Sequence, residues 1–234
     1  MAEEKVVGIL GGMGPEATVD LMAKIIRATP ARTDQEHLRI IVDCNPKIPD
    51  RTDAILGRGP DPTPALVETA RNLQRAGADF IVIPCNSAHY FYPQLSQAVT
   101  IPVLHMMREV ARHIVREWPQ VRRVGLLAAT GTVRSGLYAR ELGAQGRETL
   151  TPEEEVQQRL MEAIRMIKAG ARERARDICL EAGRQLARSG AEVVVAGCTE
   201  IPLVLGDGDL PVPVVDATVV LARAAVRTAL GREV

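Results

Sequence analysis

Aromatic side chains and net charge are both scarce in this sequence. Phe, Trp and Tyr make up 3% of the 234 residues, which leaves few rings on which nucleic-acid bases could stack. The 29 basic and 29 acidic residues cancel, so no net field attracts a polyanion or an anionic membrane surface. The composition therefore predicts neither a nucleic-acid partner nor a membrane partner.

Long uncharged apolar stretches are also missing, and no secretory leader follows Met1, so we expect a soluble, cytoplasmic protein. The four cysteines show no C-x-x-C spacing, and the four histidines form no ligand pattern with them. This predicts reduced thiols and no bound metal. With 46% hydrophobic residues, the chain can bury one large core or two modest ones.

The most informative stretch is Gly77–His89, GADFIVIPCNSAH. The apolar run Phe80–Ile83 predicts a buried strand that delivers Cys85 to its C-terminal end, where a turn leads into the next helix. Ligands bind at such strand ends in open parallel sheets. The pattern returns at Gly190–Pro202, GAEVVVAGCTEIP, which places Cys198 at the end of an equivalent strand. The chain is thus organised around two cysteines.

Other segments repeat in the same order. Gly8 and Gly125, in the strands Lys5–Leu10 and Arg123–Leu127, are 117 residues apart, and Gly77 and Gly190 are 113 apart. Ile101-Pro102-Val103, which opens a predicted strand, and Val212-Pro213-Val214 are 111 apart. The repeats indicate an internal duplication, and strands that alternate with helices indicate parallel sheets. We predict an α/β fold of two pseudo-symmetric lobes, each a mostly parallel sheet flanked by helices, with the active site in the cleft between them.

Two cysteines that face each other across such a cleft suit inversion at a carbon. One thiolate removes a proton while the other thiol donates one to the opposite face, and a nearby helix N-terminus lowers a thiol pKa from about 8.5 toward neutrality. Backbone N–H groups of Asn86, Ser87, Ala88 and Thr199 are expected to bind a substrate carboxylate. That contact also stabilises a carbanion whose charge spreads into the carboxylate.

Several of these residues also allow other interpretations. A cysteine that ends a buried strand is more often inert packing, and only the repeat around Cys198 favours chemistry. Gly12-x-Gly14-x-x-Ala17 partly matches a dinucleotide fingerprint, but we favour a role in which Met13 and its flanking glycines let the backbone approach a substrate. Glu200 either tunes the proton affinity of Cys198 or forms a structural salt bridge. Pseudo-symmetry suggests Thr130 as a further carboxylate ligand.

Five motifs in order, spread over essentially the whole chain, resemble the cofactor-independent aspartate/glutamate racemases. They are Gly11–Pro15 with Ala17-Thr18, Asn45–Thr52 (NPKIPDRT), Pro84–His89 (PCNSAH), Ile167–Gly170 (IKAG) and Gly197–Pro202 (GCTEIP). Two departures are mild: Ser87 stands where threonine is commoner, and Cys44 adds a thiol beside the second motif. Related decarboxylases and isomerases often differ at one of the two cysteines, so the presence of both favours a racemase.

The resemblance implies racemisation of an acidic amino acid without pyridoxal phosphate, with Cys85 and Cys198 as base and acid. It implies that Arg51, in the long polar loop Cys44–Pro64, and Lys168, in the last turn of a helix, bind substrate carboxylates. It also implies a homodimer with interleaved lobes: residues 1–103 plus 211–234, which carry Cys85, and residues 104–210, which carry Cys198.

We therefore expect interconversion of L- and D-aspartate or glutamate, with no cofactor. A related decarboxylase or hydantoin-type racemase that uses the same cleft stays open as an alternative enzyme. A non-catalytic binder of small acids or nucleotides is the alternative from another class, and it would bind its ligand without exchanging a Cα proton.

Overall fold

The computed structural model describes residues 4–231, which divide into two compact units. The first comprises the chain up to Glu109 and again from Thr218, and the second comprises Val110–Ala217. Within residues 4–231, no helix combines the length and apolarity needed to cross a membrane.

The first unit is built on a parallel sheet whose strand order is β2-β1-β3. Helices α1 and α3 pack on opposite faces of β1, since a Cβ on Gly11 would meet Thr18 of α1 and a Cβ on Gly8 would meet Leu73 of α3. Its elements are β1 (Val7–Gly11), α1 (Pro15–Ala28), β2 (Ile40–Cys44), α2 (Arg51–Ile55), α3 (Thr63–Arg75), β3 (Phe80–Val82), α4 (Tyr92–Ala98), the start of α5 (Met106–Glu117) and α10 (Ala217–Ala229).

The second unit is built on a parallel sheet of order β5-β4-β6-β7. Helix α9 packs on β4 and β6, and α8 packs on α9. Its elements are the end of α5, β4 (Arg123–Leu127), α6 (Thr130–Arg134), α7 (Leu137–Gly143), β5 (Glu148–Leu150), α8 (Glu154–Lys168), α9 (Arg172–Arg188), β6 (Val193–Ala196) and β7 (Val214–Asp216). The prediction of an α/β fold with two helix-flanked parallel sheets is therefore confirmed.

The duplication read from the sequence extends to strand register. Gly8 pairs with Ile81 in the first sheet, and Gly125 pairs with Val194 in the second. Ile81 then bridges to Val103, as Val194 pairs with Val214. The preceding prolines also correspond, because the N–H of Ile81 donates to the carbonyl of Pro102 (2.8 Å) and that of Val194 to the carbonyl of Pro213 (2.9 Å).

The repeated Gly-Ala-acid triplet has the same structural role in both units. Gly77 and Gly190 end a helix with φ of 94° and 93°, a conformation that favours glycine. The Asp79 carboxylate accepts a hydrogen bond from the N–H of Val6 (2.6 Å), and the Glu192 carboxylate accepts one from the N–H of Arg123 (2.8 Å). Each acid thereby links two strand starts in its own sheet. One belongs to the strand that precedes the cysteine (β3 or β6, the cysteine strand), and the other belongs to its neighbour β1 or β4 (the central strand).

The units differ from the predicted lobes at both boundaries. The first division falls after Glu109 rather than after residue 103, and the second falls after Ala217 rather than after residue 210. Strand β7 is the physical reason for the second shift: residues 214–216 pair with β6 and so belong with the second sheet.

Two local predictions need correction. The loop Cys44–Pro64 contains a short helix, α2, whose N-cap is Asp50: its carboxylate accepts a hydrogen bond from the N–H of Asp53 (2.9 Å). The strand expected at Ile101–His105 is reduced to the single bridge at Val103.

Gly12 has a packing role that the sequence did not suggest. It adopts φ of 95°, and a Cβ there would lie 2.3 Å from the carbonyl carbon of Asn45. The close backbone approach that this glycine permits is therefore to the chain segment after β2, within the protein itself.

Candidate active site

Cys85 lies three residues after β3, at the carboxyl end of the first sheet. It is 5% exposed, and its Sγ lies 3.5 Å from the Oγ of Ser87. Residues 87–91 form a short 3₁₀ turn that Asn86 precedes, and Asn86, Ser87 and Ala88 are all buried. Met13 and Ala88 belong to the same apolar cluster as Cys85, so the structure places these predicted residues together within the first unit.

His89 fixes the turn that follows Cys85. Its Nδ1 lies 2.9 Å from the carbonyl of Cys85, and its Nε2 accepts a hydrogen bond from the N–H of Met106 (3.2 Å). Nδ1 therefore carries the proton, and burial lowers the pKa of His89, which keeps the ring neutral. His89 thus connects the cysteine turn to the start of α5.

Arg51 is buried although the sequence places it in a polar loop. Its Nη1 donates to the carbonyls of Ile48 (3.1 Å) and Pro49 (2.7 Å). Asp50 caps α2, and Asp53 forms its ion pair with Arg58 instead. Among residues 4–231, Arg51 has no carboxylate partner and its Nε is unsatisfied. Because α2 packs against the turn after Cys85, this buried cation lies in the same part of the first unit as the cysteine turn.

Cys198 lies two residues after β6, at the carboxyl end of the second sheet, and is 8% exposed. Its Sγ donates a hydrogen bond to Oε2 of Glu200 (3.0 Å), and the Thr199 hydroxyl donates to the same oxygen (3.4 Å). The other carboxylate oxygen of Glu200 lies 3.8 Å from Nζ of Lys168. Glu200 therefore contacts the Cys198 thiol through one carboxylate oxygen and pairs with Lys168 through the other.

The surroundings of Cys198 favour its protonated form. Burial raises the pKa of this thiol well above its ordinary value, and the Glu200 carboxylate raises it further, while Lys168 lowers it in part. Ser87 and Glu200 both occupy the second position after a cysteine. The first thiol therefore contacts a neutral hydroxyl, whereas the second contacts a carboxylate.

Thr130 begins α6, just after the end of β4. Its hydroxyl oxygen lies 3.3 Å from Nε2 of Gln157, and the same Nε2 donates to the carbonyl of Ala128 (2.9 Å). A carbonyl oxygen only accepts hydrogen bonds, so the Gln157 amide nitrogen, not its oxygen, must face the carbonyl of Ala128. The same nitrogen therefore donates to the Thr130 hydroxyl oxygen. The hydroxyl proton of Thr130 is left to be donated to another acceptor.

The sequence interpretation did not identify Gln157. A signal was present, since Gln157 occupies a position on the buried stripe of α8 that otherwise holds Leu160, Ala163, Ile164 and Ile167. A polar residue on an apolar stripe needs a buried partner, and here the partners are the residues that follow β4.

The two remaining cysteines differ in burial. Cys179 is fully buried in α9, and burial raises its pKa to about 12, which agrees with a core role. Cys44 is exposed at the end of β2. No group of three or more His, Cys, Asp or Glu side chains arranged to hold a metal ion occurs in the part of the chain that the structure describes.

The solved structures that resemble this chain include aspartate and glutamate racemases. An aspartate racemase from Picrophilus torridus superposes with a TM-score of 0.86 at 30% identity, covering 98% of this chain and 96% of that one. Glutamate racemase from Francisella tularensis, solved with D-glutamate, is 15% identical and shares the fold with a TM-score of 0.69, over 97% of this chain and 82% of that one.

A sequence relative extends the comparison. The broad specificity amino-acid racemase RacX of Bacillus subtilis (strain 168) is 26% identical over 96% of this chain and 98% of its own length. The model of the Asp/Glu/Hydantoin racemase family matches residues 10–225, and the chain belongs to that family. It is therefore an isomerase of the racemase type.

The contact between Cys198 and Glu200 leads to a prediction about thiol reactivity. Replacement of Glu200 by Gln removes the negative charge that raises the pKa of Cys198 and leaves Lys168 to lower it. We expect Cys198 to be alkylated by iodoacetamide several-fold faster near pH 8, because each unit of pKa decrease gives about tenfold more thiolate below the pKa. Peptide-resolved mass spectrometry measures the rate.

Exposed Cys44 supplies the internal control for that experiment, since its alkylation rate should be the same in the wild-type protein and in Glu200→Gln. An unchanged or slower rate at Cys198 would contradict the electrostatic role of Glu200.

Proposed function

We propose that this protein racemises an acidic amino acid by proton transfer between Cys85 and Cys198. The observation that carries the proposal is that the two thiols end equivalent strands in two sheets that share register, hydrogen bonds and strand order. In this proposal the two cysteine turns face the two sides of one substrate Cα. No pyridoxal phosphate is required, because the carbanion charge spreads into the substrate's α-carboxylate.

The proton transfer begins from unlike thiols. The thiolate of Cys85 removes the Cα proton, and the Ser87 hydroxyl supports that thiolate. The thiol of Cys198, kept protonated by burial and Glu200, donates its proton to the opposite face. The products are the inverted amino acid, a Cys85 thiol and a Cys198 thiolate, so one proton is taken and one is given.

The opposite direction needs Cys198 as the base. Glu200 is placed to serve this step, since its carboxylate already accepts the hydrogen bond from the Cys198 thiol. Lys168 offsets part of the charge that accumulates on the thiolate and Glu200. In this proposal Glu200 acts through Cys198 and does not touch the substrate.

Substrate carboxylates are assigned to Arg51, which has no carboxylate partner among the described residues, and to two donors of the second unit, of which Lys168 also pairs with Glu200. Arg51 is a buried guanidinium with no carboxylate partner among residues 4–231, and leaving such a charge uncompensated is costly. In the second unit, Lys168 and the Thr130 hydroxyl are the corresponding donors. Backbone groups of Asn86, Ser87, Ala88 and Thr199 complete the pocket beside the thiols, with Met13 as an apolar wall.

The acidic substrate class follows from the number of cationic subsites. Two separate positive groups, Arg51 and Lys168, suit a molecule with two carboxylates. The aspartate racemase of Picrophilus torridus, which is 30% identical, supports this choice. The Bacillus subtilis relative is named a broad specificity amino-acid racemase, so the test of substrate class must include amino acids that are not acidic. The cytoplasmic location and the homodimer stay predictions.

The direct test of the function measures enantiomers. Purified protein without added pyridoxal phosphate is incubated separately with L-aspartate, L-glutamate, L-alanine and L-lysine, and D-enantiomers are quantified by chiral chromatography. We expect D-aspartate or D-glutamate to form. Replacement of Cys85 or Cys198 by Ser should lower the rate at least about a hundredfold, because an alcohol is a poor acid and base near neutral pH.

The control for the cysteine variants is Cys44→Ser, which alters an exposed thiol and should keep the wild-type rate. Full racemisation by either Cys85→Ser or Cys198→Ser would refute the two-thiol mechanism. Racemisation of alanine or lysine but of neither acidic amino acid would refute the substrate class and leave the mechanism standing.

The hydrogen-bond direction at Thr130 gives a second prediction. In Gln157→Glu the carboxylate has no proton to donate, so the Thr130 hydroxyl donates to it and no longer to the substrate. We expect KM to rise about 10- to 100-fold, the equivalent of a lost charge-assisted hydrogen bond of about 1.5–3 kcal/mol. Steady-state kinetics from pH 6 to 9 measure the effect.

The matched control is Gln158→Glu, the same change at the next residue, whose side chain is exposed and contacts Glu154. The KM of Gln157→Glu should fall toward the wild-type value at low pH, where the new acid becomes protonated and can donate again. An equal KM for both variants would show that Thr130 does not depend on Gln157.

A further inference from the structure

The backbone N–H that opens α6 has a methionine sulfur as its acceptor. The N–H of Thr130 donates a hydrogen bond to Sδ of Met161 at 3.1 Å. Thr130 is the first residue of α6, and the N-cap residue Ala129 offers no side-chain acceptor. Because the first N–H groups of a helix have no partner within it, the acceptor for Thr130 must come from elsewhere, and here it comes from α8.

Packing alone does not explain a methionine at position 161. Met161 is half-buried and packs against the core of the second unit, a role that leucine fills about equally well. Among the large aliphatic side chains, however, only methionine carries a hydrogen-bond acceptor, although a weak one. The contact with Thr130 uses the one property that distinguishes methionine from leucine.

Helix α8 also holds Thr130 at a second point. Gln157 lies four residues before Met161 and therefore on the same side of the helix, and its Nε2 lies 3.3 Å from the Thr130 hydroxyl oxygen. The backbone nitrogen and the side-chain oxygen of Thr130 are thus both bound by one helix. Together these contacts fix the rotation about the Cα–Cβ bond of Thr130, so its hydroxyl proton is presented in one direction.

The side of α8 that holds Thr130 continues to the cation of the second unit. Positions i, i+4, i+7 and i+11 lie along one side of a helix. On α8 these positions are occupied by Gln157, Met161, Ile164 and Lys168. At the end of this stripe, Nζ of Lys168 lies 3.8 Å from the Glu200 carboxylate. One side of one helix therefore carries the groups that hold Thr130 and the lysine beside the second cysteine turn.

We propose that Met161 is a positioning residue for the substrate pocket. By accepting the Thr130 N–H, its thioether holds the Thr130 hydroxyl in the direction in which it binds a substrate carboxylate. Met161 acts through Thr130 and does not touch the substrate. The inference rests on the proposed function, in which Thr130 is a carboxylate donor. It extends that function by making α8 the element that sets the spacing between the donors Thr130 and Lys168.

Two replacements of Met161 separate the acceptor role from packing, because the two roles rank them in opposite orders. Met161→Leu keeps the apolar volume and removes the acceptor. Met161→Gln loses apolar character and supplies an amide oxygen as acceptor. If the sulfur acts as an acceptor, the leucine variant is the impaired one. If Met161 only fills space, the glutamine variant is the impaired one.

The experiment is steady-state racemisation kinetics with the full chain. We expect Met161→Leu to raise KM about 3- to 10-fold with little change in kcat, because a weak hydrogen bond that supports the substrate equally in the ground state and the transition state is lost. Met161→Gln should have a KM close to the wild-type value. A wild-type KM for Met161→Leu, or a higher KM for Met161→Gln than for Met161→Leu, would overturn the proposal.

Met166→Leu is the matched control. Met166 lies on the same helix, is half-buried and packs against the same core, so the substitution makes the same change at a comparable site. Its KM should equal that of the wild-type protein. A KM raised as much as in Met161→Leu would show that loss of any methionine from α8 has this effect, which would refute a specific role for Met161.

Amide hydrogen exchange of Thr130, followed by NMR, tests the contact without relying on activity. The Thr130 N–H should exchange faster in Met161→Leu than in the wild-type protein, and at the wild-type rate in Met161→Gln and Met166→Leu. Equal rates in Met161→Leu and the wild-type protein would refute the contact. If the wild-type protein racemises no acidic amino acid, the proposed function fails, and the exchange rates still decide whether Met161 holds Thr130.

Discussion

Parallel pairing between each central strand and its cysteine strand is the constraint on which the rest of this structure depends. In both sheets the central strand is tied to the cysteine strand by the same register and by an acid that accepts a backbone N–H at the strand start. The ends of β3 and β6 are thereby fixed, and with them the turns that carry Cys85 and Cys198. The catalytic proposal requires such rigid placement, because proton transfer tolerates little displacement of the reacting atoms.

The two turns follow equivalent strands, and they differ in charge. Ser87 and Glu200 hold the same position after their cysteines, yet only Glu200 adds a negative charge and an ion pair with Lys168. A duplicated fold therefore carries an asymmetric pair of thiols, of which Cys198 is the one held protonated. In the proposed mechanism this asymmetry sets the protonation state from which each direction of the reaction starts.

The sequence predicted those features that depend on local pattern and spacing. Repeated glycines, acids and apolar runs were enough to predict both cysteine strands and their matching order, because register follows from the hydrophobic pattern. Arg51 was different, since its burial depends on a short helix within a loop rich in Pro, Asp and Gly. Gln157 was missed, and the segment that contains β7 was assigned to the wrong lobe. Both features depend on contacts between segments that are distant in sequence.

The central claim is that two thiols act on opposite faces of one carbon, and an isotope experiment tests it most directly. L-Aspartate and L-glutamate are each incubated with the protein in D₂O and stopped at low conversion, and deuterium at Cα is measured in the residual substrate and in the product. The account predicts deuterium in the D-enantiomer, delivered by the second thiol, and retention of the original proton in the recovered L-enantiomer. Equal deuterium in both enantiomers from the earliest times would contradict it, because a single group would then be exchanging its proton with solvent and returning it to either face.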